Sequence, residues 1–191
     1  MNDEENWRRF ELLAMPHLDA AYNLARWLTR DDHDAQDIVQ DATMRAMRYI
    51  QGLRAEGARA WLLQIVRNTY YTWLKTNRPS ERVILDDADD AWQDFPAPAA
   101  DEPHVIALRR SDREQLNAAI AALPVAYREV LVLRELEDFS YSDIARIAEI
   151  PIGTVMSRLA RARGLLRVAL TPKVRPLLHT VPVSASGGAQ K

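Results

Sequence analysis

From Pro151 to its carboxyl end the chain carries seven Lys or Arg side chains and no Asp or Glu. Arg158, Arg161 and Arg163 lie there beside Thr154 and Ser157. Their chemistry is recognition of anions and base edges: a guanidinium fork fits phosphate or guanine, and a hydroxyl can serve either kind of edge. A second grouping is acidic. Asp86-Asp87-Ala88-Asp89-Asp90 offers oxygen ligands, but a cation site needs further ligands on a rigid platform. The flanking Pro96, Pro98 and Pro103 supply neither, so this is read as a solvated charge run. There is no cysteine, and His17, His33, His104 and His179 lie too far apart for local metal-ligand spacing. No phosphate-cradling glycine loop, nucleophile elbow or histidine triad is present. The expectation is a binding protein with no cofactor, no metal and no catalysis of its own, directed at a polyanion.

The elements that must position these groups are helices. Ser140 can cap a helix over Tyr141 to Ala148 on which Ile144, Ala145 and Ala148 face inward. Glu149-Ile150-Pro151 makes the turn, and a last helix runs from about Ile152 to Leu170. That pair has the pattern of a helix-turn-helix. On its second helix Val155, Leu159, Ala162 and Leu166 form the buried stripe, which leaves Gly153, Met156, Ser157, Ala160, Arg161 and Gly164 outward. Small and basic residues on that face suit a DNA major groove, with Ser157 and Arg161 toward bases and Arg158 and Arg163 toward phosphates. The plainer alternative is a surface helix with solvated arginines. Helices over Val105 to Ala122 and Val125 to Leu136 precede it, broken at Pro124.

Residues 1–80 are poor in Gly and Pro, and their apolar residues recur at three and four, which predicts a separate helical bundle. Its helices are expected over Trp7 to Met15, Pro16 to Thr29, a stretch capped by Asp34, and Arg59 to Thr76. The Asp34 helix buries Ala35, Ile38, Val39, Ala42, Ala46, Tyr49 and Ile50; the last buries Trp61, Leu62, Ile65, Val66, Thr69, Tyr70, Trp73 and Leu74. Residues 81–104 hold eight acids, one base and three prolines and read as a linker; 171–191 have the composition of a disordered tail. The net charge of −2 thus divides into 0 for 1–80, −7 for 81–104 and +5 for 105–191. The fold class is all-α, two small helical domains, 1–80 and 105–170, on a flexible acidic linker. The longest apolar run, Ala118 to Tyr127, is ten residues where a membrane span needs roughly 20. With an acidic start, Met1-Asn2-Asp3-Glu4-Glu5, the expectation is a cytoplasmic chain without membrane insertion.

These residues resemble a known family. Leu123-Pro124, Tyr127-Arg128-Glu129, Leu133-Arg134-Glu135, Ser140-Tyr141-Ser142-Asp143-Ile144-Ala145 and Gly153-Thr154-Val155-Met156-Ser157-Arg158-Leu159-Ala160-Arg161-Ala162-Arg163 are similar to region 4 of the extracytoplasmic-function sigma factors, the smallest sigma-70 proteins. Asp34-Ala35-Gln36-Asp37-Ile38-Val39-Gln40-Asp41-Ala42 resembles region 2.2, and Ala60-Trp61-Leu62-Leu63-Gln64-Ile65-Val66-Arg67-Asn68 the helix of regions 2.3 and 2.4. The likeness runs from about residue 7 to 170. It departs at Met156, where many members carry a basic residue.

The resemblance implies a transcription initiation subunit that binds core RNA polymerase and promoter DNA. Asp37, Gln40, Asp41, Met44, Arg45 and Arg48 would meet the clamp-helix coiled coil of the largest subunit. Region 4 would meet the flap, with Thr154, Met156, Ser157, Arg158, Ala160, Arg161 and Arg163 on the −35 element. Gly57, Arg59, Asn68, Tyr71 and Lys75 would open the −10 element: an amide reads a base edge, an aromatic stacks on a flipped base, cations hold the strand. Trp61 and Trp73 are read as core. The acidic linker either threads the basic cleft and RNA exit channel of the polymerase or only tethers. The family implies an anti-sigma factor as a further partner. Two other readings stay open, a helix-turn-helix regulator outside the polymerase and an interaction decoy that selects no promoter.

Overall fold

The computed structural model describes residues 3–53, 55–78 and 110–171, and among these no strand occurs. The first unit has four helices: α1 (Asp3–Leu13), α2 (Leu18–Thr29), α3 (Asp32–Tyr49) and α4 (Ala58–Asn77). Short 3₁₀ turns at Met15–His17 and Ile50–Gly52 join α1 to α2 and end α3. The second unit has α5 (Arg110–Ala122), α6 (Val125–Leu131), α7 (Tyr141–Ala148) and α8 (Ile152–Leu170). The expected linker 81–104 and the tail beyond Thr171 lie outside the described residues, as does the stretch 105–109 expected to open α5.

Local chemistry accounts for most of the boundaries. Arg30 ends α2 in the left-handed region, and Asp31 then caps α3, its carboxylate accepting from the amides of His33 and Asp34 at 2.8 and 3.0 Å. The cap is therefore Asp31 rather than Asp34, because only an extended residue ahead of the first turn can turn its side chain back onto those free amides. Asp34 instead takes an ion pair from Arg78 at 3.1 Å, tying the start of α3 to the end of α4. Gly57 precedes α4 with φ +94°, a conformation that a Cβ would strain, which is why the loop turns there. The helix begins earlier than expected at α1, Asp3 rather than Trp7, since nothing in the acidic opening breaks it.

Packing of the first unit is set by α2, α3 and α4. Leu24 and Leu28 from α2, Ile38 from α3, and Leu62, Leu63, Val66, Tyr70 and Leu74 from α4 are fully buried, with Ala35, Ala42 and Ala46 letting the backbones approach. Each buried Leu or Ile contributes roughly 1.5–3 kcal/mol. Tyr49, placed in the buried stripe by its spacing, is instead 71% exposed. The helix gives way to a 3₁₀ turn at Ile50, and the change of pitch carries Ile50 inward while Tyr49 swings out. Trp61 and Trp73 are half-buried against the core; Trp73 stacks on Tyr70 and lies under the Arg78 guanidinium.

In the second unit, α7 and α8 have the expected bounds. Ser140 caps α7, its hydroxyl accepting from the Asp143 amide at 3.1 Å. Replacing it, Ser140→Ala, should cost about 1 kcal/mol in urea denaturation while leaving the helix content of the native state unchanged; an unshifted midpoint would show that packing alone holds α7. Ile144, Ile147 and Ala148 are buried and Ala145 only half-buried, so the inward face is rotated toward Ile147. The helix expected over Val125 to Leu136 is α-helical only to Leu131 and continues as a π turn over Val132–Leu136. Two residues past that turn, Asp138 has φ +52°.

The two units share one core. Val130, Leu133, Phe139, Ile144, Ile147, Val155 and Leu159 belong to the same buried cluster as Leu24, Ile38, Leu62 and Val66. A smaller cluster, Ile120, Leu123, Tyr127, Leu131 and Ala162, joins α5, α6 and α8, and Trp27 of α2 touches both. α2 lies against α6, and α4 against α7. The buried Arg128 guanidinium crosses the seam, donating to the Leu123 carbonyl at 2.8 Å and to the Leu28 carbonyl at 3.2 Å.

Candidate nucleic-acid interface

On α8, Val155, Leu159 and Ala162 are buried, and Leu166 is half-buried against the smaller cluster. Gly153, Met156 and Ser157 are therefore exposed, Thr154, Ala160, Arg161 and Gly164 partly so. The helix thus presents one free face whose early turns are small, as groove entry requires. Ser157 donates to the Thr154 carbonyl at 3.1 Å, which leaves the hydroxyl oxygen free to accept. Arg163 is paired with Glu135 at 2.6 Å, both about half exposed. Arg158 is half-buried, and its charge acts on Glu129. In this arrangement neither Arg158 nor Arg163 is an unengaged phosphate donor, whereas Arg161 makes no hydrogen bond or ion pair among the described residues.

The polar face of α3 is open. Asp37, Gln40, Asp41, Arg45 and Arg48 are exposed and Met44 is 48% exposed.

The α4 set is arranged differently. Gly57, Asn68 and Lys75 are exposed and Arg59 and Tyr71 half-buried, and Arg59, Asn68 and Tyr71 contact the second unit. Arg59 lies over the Phe139 ring, donates to the Glu137 carbonyl at 2.7 Å and pairs with the Glu137 carboxylate. Asn68 accepts from Arg67 at 3.2 Å and donates to Glu149 at 3.3 Å, while Gln64 donates to the same Glu149 oxygen at 2.9 Å. Tyr71 has the Arg67 guanidinium over its ring at 4.6 Å, and its hydroxyl donates to Glu129 at 3.2 Å. Arg67 completes the group, its Nε donating to Glu129 at 2.6 Å. Glu129 is 0% exposed; burial raises its pKa against the opposing pull of Arg67 and Tyr71. Burial likewise raises the Tyr71 hydroxyl, and Glu149 is lowered by its hydrogen bonds from Gln64 and Asn68. Sequence reasoning missed Arg67 and the three glutamates. A charge at Glu129 inside the apolar stretch Val125 to Leu133 was the signal available, but its partner is 62 residues away.

Among the described residues no group of three acids or histidines can hold a metal, and no helix is long and apolar enough to cross a membrane. The Asp86–Asp90 run lies outside them.

Comparison with known proteins gives both units a family. The Sigma-70 region 2 family matches residues 13–79, and Sigma-70, region 4 matches 113–166. The RNA polymerase sigma-H factor of Pseudomonas aeruginosa is 33% identical over 172 residues, spanning 88% of this chain and 89% of the relative. The ECF RNA polymerase sigma-E factor of Haemophilus influenzae is 33% identical over 159 residues, 81% of each. Among solved structures, the sigma factor RpoE of Bartonella quintana, determined with the anti-sigma factor NepR, is 28% identical with a TM-score of 0.61, covering 86% of this chain and 98% of that one. CnrH, solved with the cytosolic domain of CnrY, shares the fold at 22% identity and a TM-score of 0.59, covering 88% of this chain and 91% of that one. With both regions matched in order and relatives similar along most of their length, the chain belongs to the extracytoplasmic-function sigma factors of the sigma-70 family, which direct RNA polymerase to promoters.

Proposed function

We propose that the division of labour within this sigma factor follows its exposed faces. α3 docks on core RNA polymerase through Asp37, Gln40, Asp41, Met44, Arg45 and Arg48. α8 enters the major groove of the −35 element, Ser157 and Arg161 toward bases and Thr154, Met156, Arg158, Ala160 and Arg163 along the strand backbone and groove wall. Asn68 and Tyr71, with Gly57, Arg59 and Lys75, act on the unpaired strand of the −10 element. The observation that carries the reading is the single free face of α8, small at its start, basic along its length and without an acid anywhere on the helix. A regulator acting outside the polymerase would need a ligand pocket or a dimer face in the first unit, and α3 offers an open polar face instead.

An anti-sigma factor is a further partner on this reading, by likeness to the Bartonella relative solved with one. The site of action would be the cytoplasm, where the polymerase is, and the chain would act there as an initiation factor with no catalysis of its own.

The test is transcription in vitro with core polymerase on genomic fragments, mapping start sites. Asn68→Ala should lower open-complex formation on a duplex promoter by on the order of tenfold, the value of one hydrogen bond to a base edge, and recover on a template already mismatched at the −10 element. Equal activity of wild type and variant on the duplex would remove Asn68 from the strand-opening site.

A further inference from the structure

α1 carries none of the residues assigned above to polymerase or DNA, and the region 2 match starts only at residue 13. Its contacts give it a task. Phe10 and Ala14 are buried in the same core as Ile50, and α1 lies against the 3₁₀ turn Ile50–Gly52 that follows α3. Beside Phe10, the half-buried Arg9 guanidinium donates to the Leu53 carbonyl at 2.8 Å, with its Nε enclosed by the protein. Leu53 is extended, φ −74° and ψ 132°, so its carbonyl has left the helical ladder and needs a donor from elsewhere. Arg9 supplies that donor across 44 residues of sequence.

The loop that starts at Leu53 ends at Gly57. Ala55, Glu56 and Gly57 are exposed, and a Cβ at Gly57 would meet nothing within 4 Å, so the turn takes its position from its two ends. At the far end the Ala58 amide donates to the Ala55 carbonyl at 3.2 Å and the Trp61 amide to the Gly57 carbonyl at 2.9 Å, which starts α4. The α1 segment reaches this end too. Burial and, after it, the Arg59 charge lower the pKa of His17, which places the 3₁₀ turn after α1 beside the first turn of α4. Both ends of the loop are thus held from the same side.

We propose that α1 positions the strand-opening loop, and that Arg9, through the Leu53 carbonyl, sets where Gly57 and Arg59 meet the unpaired −10 strand. This rests on the assignment of Gly57 and Arg59 to that strand. A site carried on a loop is as precise as its supports, because freedom left in the loop must be removed when the strand binds. The guanidinium–carbonyl bond is charge-assisted, so its loss loosens the loop without removing a DNA contact. Arg9 is therefore a positioning residue, and its effect falls on promoter opening and not on polymerase docking, whose residues lie on α3.

Arg9→Met keeps the apolar stem and removes the donors. With core polymerase it should form holoenzyme at wild-type affinity, read by anisotropy. On a duplex promoter carrying 2-aminopurine in the −10 element, the fluorescence rise that reports base unstacking should slow by about tenfold, the order of one charge-assisted hydrogen bond. On a template already mismatched at −10 the loss should largely disappear. Arg9→Lys, which can still donate one N–H to the carbonyl, should recover most of the rate. Gly57→Ala, strained at φ +94°, tests the −10 assignment itself and should also slow opening. Normal opening by Arg9→Met beside an impaired Gly57→Ala overturns the positioning role and leaves the −10 reading standing. Normal opening by both overturns the −10 reading and the positioning role with it, and an impaired Arg9→Met beside a normal Gly57→Ala shows that the effect does not run through the loop. Weakened polymerase affinity, an equal loss on both templates, or a lysine variant no better than methionine assigns Arg9 to general stability and overturns the proposal as well. Should Arg9→Met lose its circular dichroism, Arg9→Gln, whose shorter amide does not span the same reach, is read against the same outcomes.

Discussion

Replacing Asp37 and Asp41 together by lysine is expected to abolish holoenzyme formation while leaving the fold intact. Both carboxylates are exposed one turn apart on α3, and neither makes a hydrogen bond or an ion pair among the described residues, so the chain does not depend on them. The substitution turns two negative charges into two positive ones at the centre of the proposed docking face. Close charge pairs across an interface are coupled by about 1.5 kcal/mol or more, and like charges in their place are repulsive. The combined effect is on the order of 100-fold or more in Kd at low salt. Anisotropy of labelled protein titrated with core polymerase gives the affinity, and circular dichroism with urea denaturation confirms that the variant is folded. Undiminished binding by a folded variant would reject α3 as the docking surface. Because exposed charges are screened, the wild-type interaction should also weaken as salt rises.

Arg161→Ala should relax the choice of base at one or two positions of the −35 element, while Arg163→Ala weakens all sequences alike. The structure separates the two arginines physically. Arg161 stands one turn beyond Ser157 and makes no intramolecular polar contact among the described residues, so its fork can be spent on a guanine edge. A bidentate contact of that kind discriminates by roughly 1 to 3 kcal/mol against the wrong base. Arg163 is held by Glu135, and a phosphate must compete with that carboxylate; its loss should lower the salt slope of binding by about one unit without changing preference. A −35 mutant library assayed with holoenzyme distinguishes them. The same uniform loss from both substitutions would remove Arg161 from base reading.

The outline of both units and the orientation of α8 can be read from residue order, and the reason is that each depends on neighbours within one or two turns. Ser140 caps α7 because its hydroxyl reaches an amide three residues on. Val155, Leu159 and Ala162 face inward because helical periodicity leaves no other face for them. The polar face of α3 follows from the same periodicity. Where the local rule changes, the reading slips: Asp31 took the cap in place of Asp34, and Tyr49 left the buried stripe at the point where the helix tightened. Neither slip moves a candidate binding face.

The environment of α4 was decided by tertiary structure alone. Periodicity showed that Arg59, Asn68 and Tyr71 were off the main apolar stripe, but a polar face can meet water, a nucleic acid or another part of the same chain with equal local cost. Their partners lie 58 to 81 residues away, beyond a Pro-rich acidic stretch, and no short-range pattern registers such pairings. Glu129 shows the difference most plainly. Within its own helix it is an unfavourable charge among apolar residues, and it is tolerated because Arg67 and Tyr71 of the other unit close around it. Sequence by itself determined which residues could serve DNA and polymerase, since side-chain chemistry and helix phase are local; only the packing of one unit on the other decided which of them are open and which are held, since burial is a property of what arrives from elsewhere in the chain.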